Sequence, residues 1–343
     1  TITASPGSSL LSQSTQVTLT NTASSDMVYT LDGTNPTIAE LEYLELTTPK
    51  TNGYDYISVF QNDVGGIYFS DNYNKKFYKS SNNCATWTEV TSGGSSMTNN
   101  GAMTSSPNGT LYYFDYFGNI YKSTNGTTWT YLTNFDTGAG NRGYMKAYDD
   151  GSLFVTYFSS DWGARTAYTS NGTTWVVMGA ASLYTGCFDK YTSAIYLNTH
   201  TTTILKSTNK GVNFSSITIP EIASNTNMSD IMTFDGVGGI YYISTTNKIY
   251  KSTNAGASWT QITFPYVATS IHCFNGILYV TTPGTTVYKS SDYGTSFNSI
   301  VAASSNSLFE FVLGTDNKVY AFDTYTNKVS KLEKQPYSIT HGT

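Results

Sequence analysis

The chain has 343 residues, of which 12% are charged, against roughly 25% in typical soluble domains. Its 18 Lys and Arg residues are spread along the chain and the formal net charge is −5, which argues against nucleic-acid binding because phosphate contacts need a basic patch. The sequence contains no apolar run long enough to span a bilayer. With 29 Tyr and abundant Ser, Thr and Asn, the composition indicates a neutral, polar surface and favours an extracellular, cell-surface or virion protein.

The N-terminal region, residues 1–37, precedes the first regular repeat. Residues 16–20 and 27–31 have the composition of short strands. Residues 29–37, which begin at Tyr29 and contain Asp32-Gly33, resemble the hairpin of small immunoglobulin-like domains appended to some chitobiases and secreted glycosidases. The alternative is a plain Asp-Gly hairpin. We predict a β-hairpin extension over residues 1–37, either a small immunoglobulin-like domain or an assembly element.

An aliphatic residue followed by an aromatic one recurs seven times in the rest of the chain. The seven aromatic residues are Tyr68, Tyr112, Phe154, Tyr196, Tyr241, Tyr279 and Tyr320, at intervals of 38 to 45 residues. A period near 40 with several short strands per repeat is typical of a β-propeller blade. Helical repeats are disfavoured, because turn residues interrupt every window before an apolar 3.6-residue period can form. The sequence therefore predicts an all-β, seven-bladed propeller of four-stranded antiparallel blades.

A turn signal follows the third predicted strand of six repeats. It contains an amide or carboxylate side chain that can bond to nearby backbone N–H groups, at Asn82, Asn125, Asn171, Asn209, Asn254 and Asp292. A large ring follows the turn, at Trp87, Trp129, Trp175, Phe214, Trp259 and Phe297, and is expected to pack against a neighbouring unit.

These six segments resemble the Asp-box, or bacterial neuraminidase repeat, Ser-x-Asp-x-Gly-x-Thr-Trp. The resemblance covers roughly residues 54–335 and implies a propeller with each box between the third and fourth strands of a blade, as a structural turn rather than a ligand site. Three departures from the pattern are visible. Asn replaces Asp in five copies, Cys84 occupies the Gly position of the first, and the second and third copies are one residue short.

The last repeat has only three of its strands, at residues 307–313, 318–324 and 327–332. Residues 42–47 resemble the fourth strand of the other repeats, so we predict that they complete blade seven and close the ring, which would remove exposed strand edges. The alternative is that residues 337–340 supply that strand. The predicted propeller thus spans residues 38–343.

The third repeat carries an insertion. Phe154 precedes the third-strand Tyr168 by 14 residues, where the other repeats have 9 or 10. A loop that departs from its repeat is a reasonable place for function, and the alternative is a surface insertion that packs on its own blade. The predicted ligand-binding residues are Asp161, Trp162 and Arg165 of this insertion, with Arg142 and Tyr144 of the same blade.

A lysine follows the third-strand aromatic residue or its equivalent in six repeats, at Lys79, Lys122, Lys206, Lys251, Lys289 and Lys331. A ring of lysines could bind an anion. The simpler interpretation is that each side chain extends along its blade towards water.

Catalytic signals are weak. The sialidases that share the Asp-box need an arginine triad to bind the substrate carboxylate. This sequence has two arginines, Arg142 and Arg165, so sialidase activity is disfavoured. Asp149-Asp150 is an adjacent carboxylate pair in a predicted turn. The three cysteines, Cys84, Cys187 and Cys273, are expected to be free and mostly buried, and no metal or cofactor is expected because the three histidines lie far apart in sequence.

The leading hypothesis is a non-catalytic recognition or adhesion module that binds a glycan or a cell-surface receptor. Aromatic faces stack on sugar C–H groups, and amides and hydroxyls bond sugar hydroxyls. The first alternative is a structural subunit of a surface layer, filament, sheath or phage particle that self-assembles through residues 1–53. The second alternative is a glycoside hydrolase.

Overall fold

The computed structural model describes residues 2–5, 18–21, 45–49, 57–61, 66–71, 76–90, 102–115, 118–134, 144–158, 164–178, 185–199, 201–223, 228–283, 286–302, 309–323 and 328–332. The chain divides into two compact units. One is Thr1–Glu42 with Lys334–Thr343, and the other is Tyr43–Glu333.

In the first unit, β1 (Ile2–Ser5) pairs antiparallel with β2 (Thr18–Asn21), with Ile2 opposite Asn21. The predicted strand at residues 16–20 overlaps β2. Residues 27–31, and the segment 29–37 with its immunoglobulin-like resemblance, lie outside the described residues.

The second unit is a seven-bladed β-propeller, as the sequence predicts. Its first described strand is β3 (Glu45–Thr47). Blade 1 contains β4 (Ile57–Gln61), β5 (Ile67–Asp71), β6 (Lys76–Ser80) and β7 (Thr88–Glu89). Blade 2 contains β8 (Ala102–Ser105), β9 (Leu111–Phe114), β10 (Asn119–Ser123) and β11 (Thr130–Asn134). Blade 3 contains β12 (Met145–Ala147), β13 (Leu153–Phe158), β14 (Ala164–Thr169) and β15 (Val176–Met178).

The remaining blades repeat this order. Blade 4 contains β16 (Thr185–Phe188), β17 (Ile195–Asn198), β18 (Thr203–Ser207) and β19 (Ser215–Thr218). Blade 5 contains β20 (Met232–Phe234), β21 (Ile240–Ile243), β22 (Ile249–Ser252) and β23 (Thr260–Ile262). Blade 6 contains β24 (Ser270–Phe274), β25 (Ile277–Thr281), β26 (Thr286–Ser290) and β27 (Asn298–Ala302). Blade 7 contains β28 (Phe309–Leu313), β29 (Val319–Asp323) and β30 (Lys328–Lys331).

Blade 7 takes its fourth strand from the start of the unit. β3 pairs antiparallel with β30, with Glu45 opposite Ser330 and Thr47 opposite Lys328. The prediction that an N-terminal strand closes the ring is confirmed for residues 45–47, while residues 42–44 and 337–340 lie outside the described residues. The first strands of blades 7 and 1, β28 and β4, also contact each other, so the ring closes at its inner edge as well.

The core lies between blades. The second strand of a blade has a strand on each side and a neighbouring blade on each face, so it is buried along its whole length, as in β9, β17 and β21. This is why the second strands read as continuous apolar and aromatic runs rather than as alternating patterns. The fourth strands, such as β19, are largely exposed.

Within the described residues, the one helix is the single turn α1 (Met228–Ile231), which precedes β20. None of the described segments forms a helix with the length and apolar character needed to cross a membrane.

Candidate functional site

One end of the propeller carries two turns from each complete blade. Because successive strands of a blade are antiparallel, the turn joining the first strand to the second and the turn joining the third to the fourth lie at the same end. We call this end the turn face. The connection between the second and third strands, which includes the blade-3 insertion, lies at the opposite end.

The third-to-fourth turns are held by their own side chains. In blade 5, Ser252 Oγ accepts the backbone N–H of Gly256 at 2.9 Å and donates to Asn254 Oδ1 at 3.0 Å, and Asn254 Oδ1 accepts the N–H of Ser258 at 2.9 Å. Equivalent bonds involve Asn82, Asn125, Asn171, Asn209 and Asp292. The side-chain oxygens of these residues therefore form hydrogen bonds within their own turn.

The same turns pack each blade on the one before it. Gly211 of blade 4 has φ +90°, and a Cβ there would lie 2.3 Å from Phe154 Cδ2 of blade 3. Trp259 of blade 5 donates its indole N–H to the backbone carbonyl of Thr218 in blade 4 at 3.1 Å. Cys84, in the Gly position of blade 1, is buried at φ +67° against a cluster from blade 7 that includes Tyr320.

The recurrent lysines belong to this blade-to-blade packing. Lys79 Nζ lies 5.8 Å from the Tyr68 ring centre and donates at 2.9 Å to the backbone carbonyl of Asn125 in the next blade. Lys251 repeats the arrangement with Tyr241 and the carbonyl of Tyr293. Lys122, Lys206 and Lys331 also lie over second-strand tyrosines. These contacts favour the structural interpretation of the lysines over an anion-binding ring.

On the turn face, blades 4–6 each carry an exposed apolar side chain, and the partly buried Phe274 belongs to the same set of turns. Lys190 Nζ lies 4.9 Å from the Tyr191 ring centre and 5.7 Å from that of Phe274. Phe274 begins the blade-6 turn whose Gly276 faces Tyr293 Oη. Tyr191 and Tyr293 are 45% and 42% exposed, and Val237 of the intervening blade is 76% exposed. We call Lys190, Tyr191, Val237, Phe274 and Tyr293 the aromatic patch.

A cavity of ≈ 260 Å³ lies among the first strands of blades 3–6 and reaches the turn face at Lys190 and Phe274. Its lining residues are Tyr144, Cys187, Phe188, Lys190, Met232, Thr233, Phe234, His272, Cys273 and Phe274. The cavity and the aromatic patch share Lys190 and Phe274, so they form one continuous site.

His272 lines the cavity and has a ring nitrogen that lacks a hydrogen bond within the described residues. Its Nε2 atom is buried and has no hydrogen-bond partner among the described residues, and its ring packs 4.9 Å from Phe311 and 6.3 Å from Phe274. Burial lowers the pKa of His272 to about 4. The imidazole is therefore neutral at physiological pH and can accept one hydrogen bond and donate another.

A pair of carboxyl groups lies elsewhere among the inner elements. Glu310 is on β28 and Asp230 is on α1. Burial, with a smaller contribution from the negative charge of Asp230, raises the pKa of Glu310 to about 8. Glu310 is thus protonated over much of the neutral range.

Asp149 and Asp150 of blade 3 bond to residues of the two neighbouring blades. Asp149 Oδ1 accepts the backbone N–H of Asn108 in blade 2 at 2.8 Å. Asp150 pairs with Lys210 of blade 4 and accepts from Ser152, and these bonds lower its pKa to about 2.

The predicted ligand-binding residues divide into three groups. Tyr144 lines the cavity, and its ring lies 6.4 Å from that of Phe188. Arg165 is on β14 and pairs with Tyr157 of β13. Both residues lie near the end of the blade that is remote from the turn face. Arg142, Asp161 and Trp162 lie outside the described residues.

The blade-3 insertion differs in form from the expected loop. β13 and β14 each have six residues and remain paired from Leu153–Thr169 to Phe158–Ala164, so the inserted residues lengthen a hairpin. Whether this hairpin binds a ligand stays a prediction.

The three cysteines are free and buried, as the sequence predicts. Cys187 and Cys273 line the cavity, where burial raises both thiol pKa values, that of Cys273 to about 11. Among the described His, Cys, Asp and Glu residues, no group of three or more is placed to hold a metal ion.

Comparisons with known proteins were made on sequence and on structure. No protein-family model matches the sequence, and a search of curated proteins gives no match. A structure titled YCF48 bound to D1 peptide is 12% identical with a TM-score of 0.64, over 88% of this chain and 97% of that one. The GH74 xyloglucanase from Xanthomonas campestris is 14% identical with a TM-score of 0.59, over 87% of this chain and 55% of the enzyme. BamB from Moraxella catarrhalis is 11% identical with a TM-score of 0.51, over 80% and 83%. What they share with this chain is the propeller fold.

Proposed function

We propose that the chain is a non-catalytic recognition module that binds glycans at the aromatic patch and its cavity. The observation that carries the proposal is the half-exposure of Tyr191 and Tyr293 on the turn face, together with a cavity lined by Lys190, whose ammonium lies over the Tyr191 ring. Aromatic faces pack on sugar C–H groups, and binding sites combine such faces with a few placed polar groups. Lys190 of the cavity lining supplies a charged hydrogen-bond donor.

We further propose that the six third-to-fourth turns are Asp-box repeats. Their support is the shared bonding of Ser or Thr, Asn or Asp and the following backbone N–H groups. In this assignment they hold the turn face in place, and Tyr293, between Asp292 and Gly294 of the blade-6 turn, is the one turn residue that we propose to contact the ligand. We also propose that the protein is extracellular, on the cell surface or on a virion, and that its partner is a glycan or a surface receptor. The neutral, tyrosine-rich composition supports this location.

Glycan-array binding of the purified chain tests the proposal. Tyr191→Ala with Tyr293→Ala should abolish binding, because both stacking faces are removed. Tyr131→Ala is the matched control, since Tyr131 is 54% exposed but lies on the outer strand of blade 2. Loss of binding with Trp162→Ala instead would place the site on the blade-3 hairpin. A folded chain that binds no glycan and forms polymers through residues 1–53 would support the structural-subunit alternative.

A second candidate function, glycoside hydrolysis, is favoured by one observation. A carboxyl group with a raised pKa can act as a general acid, and the pKa of Glu310 is raised by burial and by the neighbouring Asp230. Hydrolysis of β-linked chromogenic glycosides that is lost in Glu310→Gln would support this candidate.

A further inference from the structure

One Asn-Gly pair borders the aromatic patch, in the turn that joins β24 to β25. Phe274 pairs with Ile277, so Asn275 and Gly276 form a two-residue loop, and both have positive φ, at 52° and 75°. Two positive values at these positions define a type I′ turn. Asn275 is exposed, and among the described residues its side-chain amide makes no hydrogen bond.

An Asn-Gly pair can react with itself, because the glycine nitrogen can attack the side-chain amide carbon of the asparagine. The new N–Cγ bond closes a succinimide ring and releases ammonia, and water then opens the ring to aspartate or isoaspartate. Glycine leaves the nitrogen unhindered, since it has no Cβ. Ring closure brings this nitrogen into the plane of Cα–Cβ, at an asparagine ψ of about −120°, which is the value of the first loop residue in a type II′ turn.

The blade-6 turn can reach this geometry by rotating one peptide group. Types I′ and II′ differ in the orientation of the peptide between their two loop residues, and glycine in the second position accepts either form. The Gly276 N–H interacts with the Cys273 thiol, and sulfur is a weak acceptor. The last pair of the ladder is Phe274 with Ile277, so the rotation breaks no backbone hydrogen bond between β24 and β25.

The other Asn-Gly pairs among the described residues are held in place at both reacting groups. Each glycine donates its N–H to an oxygen of its own turn at 2.8 to 3.0 Å, and each asparagine Oδ1 accepts the backbone N–H two positions ahead at 2.9 to 3.1 Å. These pairs are Asn108-Gly109, Asn125-Gly126 and Asn171-Gly172. Rotation of their peptide groups would break these bonds.

We propose that Asn275 is a site of spontaneous deamidation, which places a carboxylate beside the aromatic patch. The new charge would directly follow Phe274, whose ring centre lies 5.7 Å from Lys190 Nζ, and would oppose the positive charge of that lysine. Isoaspartate would also add one carbon to the backbone of a two-residue loop and displace Phe274. The chemical claim stands apart from the proposed function, and only its effect on ligand binding rests on glycan recognition at this patch.

Peptide mapping by mass spectrometry, after incubation of the folded chain in isotopically labelled water, tests the chemical claim. Asn275 should convert at least about tenfold faster than Asn108, Asn125 and Asn171, because the latter must first break two hydrogen bonds. Each converted residue should carry one oxygen from the labelled water. In the chain unfolded by denaturant the four pairs should react at similar rates, since only the reactive dipeptide remains. Asn275→Gly, which tolerates the positive φ, should abolish conversion at this turn.

The outcomes separate the modification from the proposed function. Retention of the Asn275 amide in the folded chain, with conversion in the unfolded chain, overturns the proposal. Equal rates at the four pairs in the folded chain also overturn it. Glycan binding that weakens on ageing of the wild type but not of Asn275→Gly supports the effect on the patch. Conversion at Asn275 in a chain that binds no glycan even when fresh supports the modification and overturns the proposed function alone.

Discussion

At the residue scale, one third-to-fourth turn differs from the others in its chemistry. Asp292 of blade 6 occupies the position where five blades have Asn. Its carboxylate accepts from Ser296 Oγ at 2.6 Å, the Ser296 N–H at 2.9 Å and Ser290 Oγ at 2.7 Å. These bonds lower the pKa of Asp292 to about 2. The turn is therefore a site where folding and proton binding are linked.

Asp292→Asn should flatten the acid limb of the stability profile. The pKa of Asp292 is lower in the folded chain than its usual 3.8, so its contribution is fully present above about pH 4 and is lost as the pH falls towards 2. Asn keeps the acceptor and does not titrate. The measurement is the free energy of unfolding of both proteins from pH 5 to pH 2. Parallel profiles for the two proteins would contradict the linkage.

At the scale of the element, the third-to-fourth turn of blade 4 approaches the preceding blade too closely for a side chain at Gly211. Gly211 and Gly151 both have positive φ, at +90° and +81°, but only the first is enclosed. A Cβ at Gly211 would enter the Phe154 ring, and a Cβ at Gly151 would meet nothing within 4 Å. Substitution of Gly151 therefore measures backbone strain alone, and substitution of Gly211 measures backbone strain together with the steric clash.

Gly151→Ala should lower the free energy of unfolding by about 1–2 kcal/mol, the cost of the left-handed conformation for alanine. Gly211→Ala should cost about 1–3 kcal/mol more, because its methyl group also displaces packed atoms. Chemical denaturation of the two variants gives the difference directly. Equal losses would show that the blade-to-blade contact contributes nothing.

The elements show which features the sequence could predict. The second strands and the third-to-fourth turns recur with strong local signals, so seven blades and six turns could be predicted before the structure. The partner of β2 could not, since pairing in an isolated hairpin depends on loop geometry. The lengthened hairpin of blade 3 reads in sequence as a loop, because Ala164, Arg165 and Thr166 lack a clear strand pattern.

The cavity has no sequence signal. Tyr144, Phe188, Thr233 and His272 come from four blades and are separated by up to 128 positions, and only closure of the ring brings them together. Tyr144 could be predicted from its place near the insertion, whereas His272 reads in sequence as an isolated histidine. The exposure of Tyr191 and Tyr293 likewise depends on how neighbouring turns pack.

At the scale of the whole molecule, stability depends on β3. This strand covers the edge of β30, and its Leu46 packs against a cluster shared by blades 7 and 1. Without it, blade 7 would have three strands and an open edge next to the point of closure.

A chain that begins at residue 50 should be less stable than one that begins at residue 43. Loss of Leu46 burial alone corresponds to about 1.5–3 kcal/mol at most, and the open edge should promote aggregation. Thermal unfolding with light scattering compares the two. Identical midpoints and solubility would mean that β3 does not hold the ring closed.

The central claim is that the turn face of blades 4–6 is the recognition surface. Hydrogen–deuterium exchange of the intact chain, with and without a glycan selected on the array, tests this most directly. The account predicts ligand-induced protection in the turns that contain Lys190, Val237 and Phe274, with little change on the outer strands. Protection confined to the blade-3 hairpin around residues 159–163, or no protection in any of these three turns, would contradict it.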